Sequence, residues 1–182
     1  LALSAVGYFA MNGVVQANQR KILVERGEAV KALLQSTFND ELATIKTLGV
    51  VSEADAADIQ GNFAAGAKAV LSADADTIAI ARANKSGGYT AVAATGKDLR
   101  VGQSITGSTF RLVRAIGISV TGAALVWHEG GVTHLGMGTR TGGGIVFAET
   151  TLDPTVALKA APPFDTLRGS LYASPTVDSA NL

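Results

Sequence analysis

Residues 119–152 read SVTGAALVWHEGGVTHLGMGTRTGGGIVFAETTL, and three strands follow one another within them. Ser119 to Glu129, Val132 to Thr139 and Gly144 to Leu152 are rich in β-branched and large apolar side chains. Gly130-Gly131 and Arg140-Thr141-Gly142-Gly143 join them, and connections this tight make neighbouring strands antiparallel. A meander of this kind must bury at least one face, so the rest of the chain is read for what covers it.

Immediately upstream, Gly102 and Gly107 interrupt the pattern. Ser108 to Ile116 (STFRLVRAI) then predicts a short helix with Phe110, Val113 and Ile116 inward. Before it, Thr77 to Arg82 and Tyr89 to Ala94 read as a strand pair around Lys85-Ser86-Gly87-Gly88. Ser52-Glu53-Ala54-Asp55 reads as a helix start, with Ser52 the cap and Asp55 at the positive end. That helix spans Glu53 to Leu71 with Ile59, Phe63, Ala67 and Val70 on one side.

Val14 to Leu48 reads as one long amphipathic helix ending at Gly49 as its C-cap. Leu23, Val30, Leu34, Phe38, Leu42, Ile45 and Leu48 recur at helical spacing, with charged residues filling much of the remainder. At 1.5 Å per residue such a rod is about 50 Å long, more than a small domain needs. The expected fold is therefore α+β. A long N-terminal helix and a second helix pack on a five-stranded antiparallel sheet, with the helices mainly on one face.

Leu1 to Gln19 carries no Asp, Glu, Lys or Arg and reads LALSAVGYFAMNGVVQANQ. Residues 1–19 are read as the C-terminal part of a transmembrane helix, completed by preceding chain. Residues 20–182 are then an extracytoplasmic domain. A buried N-terminal helix and a signal-peptide core are the competing readings, and the second lacks a positive flank. Beyond Pro162-Pro163, Phe164 to Tyr172 resembles a short helix. No closing element follows by Leu182, so a C-terminal truncation is also expected.

Zero net charge and 16% charged residues leave no basic stripe for a phosphate backbone, so nucleic acid is not an expected partner. Without Cys there are no disulfides and no thiolate metal sites. Gly136-Met137-Gly138 and Gly142-Gly143-Gly144 open no helix and precede no Gly-Lys-Ser/Thr, so they read as turns and close strand packing, not phosphate loops. His128 and His134 face opposite sides of the sheet if Gly130-Gly131 is a two-residue turn. A three-residue turn, Glu129-Gly130-Gly131, would bring them together for a metal, and Glu129 could join. Ser104 to Thr109 lacks a nucleophile elbow. No catalytic residues, metal or cofactor are assigned. The candidate ligand lining is Tyr89, Arg111, Arg114, Trp127 and His134, with Arg suited to a carboxylate. A solvated helix face for the two arginines and a core position for Trp127 are the structural alternatives.

Gln19 to Val30, Phe38 to Leu48, Gly143 to Glu149 and Pro163 to Ser174 are the stretches that carry a resemblance. They resemble extracytoplasmic CHASE/Cache-like sensor domains of bacterial, in particular actinobacterial, transmembrane receptors. The resemblance implies a PAS/Cache-like sheet, a location at the cell membrane, and an output domain of histidine kinase or nucleotide cyclase type. The expected function is a non-enzymatic input domain that binds a small molecule and passes a conformational change along the long helix. Two protomers are expected to pair through the N-terminal helix. The alternative is a membrane-tethered structural or protein-interaction domain without a small-molecule ligand.

Overall fold

A computed structural model of the chain describes residues 38–71 and 76–152, with Lys21, Ile22, Val24, Glu25, Glu28, Ala29, Ala32, Gln35 and Ser36. The chain divides into two compact units, Leu1–Glu41 and Leu42–Leu182. In the first, every described position is helical. The expected membrane segment 1–19, much of the apolar stripe before Phe38, and the C-terminal helix after Pro163 lie outside the described residues. Among the described residues no helix is long and apolar enough to cross a membrane.

The second unit begins with a helix at residues 42–53 (α1). There follow α2 (Ile59–Leu71), β1 (Thr77–Ala83), β2 (Tyr89–Gly96), α3 (Gly107–Ile118), β3 (Ala123–Glu129), β4 (Val132–Arg140) and β5 (Ile145–Leu152). The strands form one antiparallel sheet in the order β2-β1-β5-β4-β3, so the last strand sits at the centre. The fold is α+β with a five-stranded antiparallel sheet, and its strands and α3 fall close to their expected positions.

Two helix boundaries differ from expectation. α1 passes through Gly49 and Ser52 and ends at residue 53. Gly49 is a contact point instead of a stop: a Cβ there would lie 2.7 Å from Thr141 Cγ2 and 3.0 Å from Val146 Cβ. Ser52 is no cap, because its hydroxyl donates back to the Leu48 carbonyl of the same helix at 2.6 Å. The second helix starts six residues later than expected, at Ile59. Asp58 caps it, accepting the Gly61 amide on Oδ1 at 2.9 Å. Ile59, Phe63 and Ala67 are buried, as their spacing implies, while the Val70 side chain lies outside the described residues.

The expectation of helices mainly on one face is corrected by the burial pattern. Thr77 to Ala81 on β1 and Ile145 to Val146-Phe147-Ala148 on β5 are buried without alternation, which requires cover on both faces. α3 packs on the face carrying Ala79, Ala81, Ile145 and Phe147. α1 lies on the other face, against Val146 at Gly49. Residues 102–105 bond the outer edge of β2 at Tyr89 and Ala91, and α2 covers it at Ala94. The Gln60 carboxamide donates to the Ala94 carbonyl at 3.2 Å and accepts the Ala94 amide at 3.0 Å, as a further strand would.

Candidate functional site

The polar groups that stand out gather on the α3 face, where β5, β4 and β3 run beneath the first turn of that helix. Along β5 this face carries Ile145, Phe147, Glu149 and Thr151, so a carboxylate occupies an inward phase. Glu149 pairs directly with Gly136, and Gly136 with Leu125. One step along the same face, Thr151 pairs with His134 and His134 with Trp127.

α3 brings no acidic residue to its own first turn, and Thr106 makes no side-chain cap. Glu149 faces that turn from the sheet, where Thr109 favours its ionised form. Burial pushes the Glu149 carboxyl above its usual range, and Asp98 and Glu129 add to the push. Thr109 and His134 oppose it. Glu149 Oε1 is buried with no hydrogen-bond partner among the described residues, a costly state for a carboxylate oxygen.

Asp76 stands beside it with the opposite tendency. Its Oδ2 accepts the Thr151 amide at 2.6 Å, and Lys97 Nζ lies 4.0 Å from Oδ1. The hydrogen bonds from Thr151 hold its carboxyl below the usual range, with help from Lys97 and His134 and against a push upward from burial.

Trp127 and His134 stack face to face, with ring centroids 5.4 Å apart and planes 8° from parallel. Gly136 makes this possible, because a Cβ there would sit 2.8 Å from Trp127 Cζ3 and would collide with Leu112. Tyr89 lies elsewhere on the same face, half-buried, with its ring 6.0 Å from that of Phe110. Arg111 and Arg114 are exposed on α3, and the Arg111 guanidinium donates to Ser108 of its own helix at 2.8 Å. The structure thus brings together Trp127 and His134 of the expected lining and leaves both arginines at the solvent side. Glu149, Thr109 and Asp76 are the additions. The inward phase of Glu149 within IVFAETTL was the signal available for it.

The Gly130-Gly131 turn has two residues, both at positive φ (61° and 84°), so His128 pairs with Thr133 and the two imidazoles face opposite sides. The alternative three-residue turn does not form. Among the described residues no three His, Cys, Asp or Glu side chains gather as metal ligands. The chain matches no family model, no curated protein and no solved structure.

Proposed function

We propose that this chain is the ligand-sensing input domain of a membrane-bound signal transduction protein, of CHASE/Cache-like type and extracytoplasmic. In this reading residues 1–19 belong to a membrane span, and the N-terminal helix pairs two protomers. A shift in the sheet passes along that helix to a kinase or cyclase output. The domain itself performs no chemistry. The observation that supports it best is the placing of α1 and of the Glu149–Thr109–His134–Trp127 group on opposite faces of one sheet. An event on one face then alters the seat of a helix on the other.

The Glu149 oxygen without a donor, beside Asp76, Asp98 and Glu129, favours a ligand that donates hydrogen bonds and carries positive charge, such as an amine. A thermal-shift series of amines, amino acids, organic acids and purines tests this. A binder at about 100 times its Kd adds about 2.7 kcal/mol to stability. The expected outcome is an upward shift with amines that Trp127→Ala and Glu149→Gln both lose. Shifts confined to organic acids would sink the assignment to this face.

A protein-interaction domain without a small ligand is the second reading. It draws on Ile118, the last residue of α3, and Val120 in the loop after it, which are 84% and 97% exposed. No shift with any compound favours it.

A further inference from the structure

We infer that Glu53, Arg82 and the Gly143 peptide form a clasp that makes the end of α1 and the β4–β5 turn move as one piece. Glu53 is the last helical residue of α1, and its side chain is only 9% exposed. Its Oε2 accepts the Gly143 amide at 3.1 Å. Arg82, near the end of β1, donates from Nε to the Gly143 carbonyl at 3.1 Å. The residue at the tip of the turn is therefore held by its N–H from the helix and by its C=O from the sheet.

The turn is built to be held. Thr141 and Gly144 close it internally, through Thr141 N–H to the Gly144 carbonyl at 2.9 Å and Gly144 N–H to Thr141 Oγ1 at 3.1 Å. That leaves the Gly143 peptide to be gripped from outside. A Cβ at Gly143 would lie 3.1 Å from both Arg82 Nη2 and Glu53 Oε1, and one at Gly144 would lie 2.6 Å from the Ala81 carbonyl. The glycines are the clearance through which the two side chains reach the turn.

The clasp is one donor short. Glu53 Oε1 is buried and accepts no hydrogen bond among the described residues; Arg82 Nη2 stands 3.8 Å away, at ion-pair and not hydrogen-bond distance. Arg82 thus has two competing acceptors, the Gly143 carbonyl it now uses and the Glu53 carboxylate it would pair with bidentately after a small rotation. A fully satisfied pair would be a static brace, whereas an unsaturated one has a second arrangement close by. Arg82 also follows Ala81, which lies on the α3 face beside Ile145, so displacement of β1 or β5 reaches the clasp through the backbone. Its service as a signal relay rests on the proposed sensing function; the coupling itself does not.

Hydrogen exchange on the full chain, with no ligand present, tests the coupling. Arg82→Gln and, separately, Glu53→Gln should speed exchange of the Gly143 amide and of the last turn of α1 together. The expected factor is about ten- to a hundredfold, the worth of a charge-assisted hydrogen bond. The Ile80 and Val146 amides should keep their protection, and Arg82→Lys, which retains charge but not the Nε donor, should fall between. Faster exchange at Gly143 alone, with α1 unchanged, overturns the inference. A uniform rise across the sheet also overturns it, since that is the signature of a merely stabilising pair. Because no ligand enters, a failed compound screen leaves this result standing on its own.

Discussion

The Asp76 amide donates to the Glu149 carbonyl at 2.9 Å, yet the carboxyls of these two residues are displaced in opposite directions. One is satisfied by donors at the sheet end and the other is pressed under a helix. Their neighbourhood is therefore where the stability of the domain should be most sensitive to pH.

For Glu149 the folded carboxyl titrates above its ordinary value of 4.5. The folded state then holds the proton more tightly than the unfolded chain. Its contribution is fully present below 4.5 and is lost as pH rises through the folded value. Glu149→Gln removes the ionised form and should raise Tm at pH 7 by about 2–4 °C, as about 1 kcal/mol does in a domain of this size. Melting curves from pH 4 to pH 8 check it: the variant should lose part of the decline on the alkaline side. An unchanged slope would mean that the carboxyl is not strained.

Asp76 has the reverse sign. Its carboxyl titrates below 3.8, so its stabilising contribution is present above that pH and is lost as pH falls through the folded value. Asp76→Asn weakens the acceptor for the Thr151 amide and, at this solvent-screened position, should cost about 0.5 kcal/mol at pH 7. The difference from the parent should shrink in acid. Urea titrations at pH 7 and pH 3 measure both limbs.

The sheet was legible because its signals are local. Glycine pairs flank strands of β-branched residues, and the period of two fixes which residues share a face. A two-residue Gly130-Gly131 turn thus sets Trp127 opposite His134. The polar site was less legible because its members come from three elements and the segment before β1. Thr109 sits on α3, Glu149 on β5, His134 on β4 and Asp76 before β1, and no spacing within one segment links them. Arg111 and Arg114 suit a carboxylate by residue type, but the phase of α3 buries Leu112, Val113 and Ile116 and so turns the arginines outward. Gly49 is ambiguous for a related reason. A glycine within a helix looks the same whether it ends the helix or lets it approach a sheet.

Gly136→Ala tests the close approach that allows the stack. Its methyl group would meet Leu112 and Trp127 within a filled core, and overpacking of this kind costs about 1–3 kcal/mol. Trp127 is the chain's only tryptophan, so its fluorescence reports on the site without ambiguity. The variant should shift that emission, and Leu112→Ala in the same chain should recover part of it, with a stability loss smaller than the sum of the two single variants. Wild-type emission and stability in the single variant would show that the ring is not held against β4.

The start of α2 offers the sharpest contrast between the two candidate caps. Asp58 accepts the Gly61 amide, and a Cβ at Gly61 would collide with the same carboxylate, so this turn is shaped around Asp58. Asp58→Ala should cost about 1 kcal/mol and fray the first turn of α2. Ser52→Ala removes only a hydroxyl that bonds back to its own helix, and such bonds compete weakly with helical geometry. Ser52 is fully buried, but the Leu48 carbonyl lies within the helix ladder, so the change should cost about 0.5 kcal/mol, the low end for a lost hydrogen bond. Chemical denaturation of the two variants side by side decides the matter. A larger loss at Ser52 than at Asp58 would move the helix boundary back to where residue spacing alone had put it.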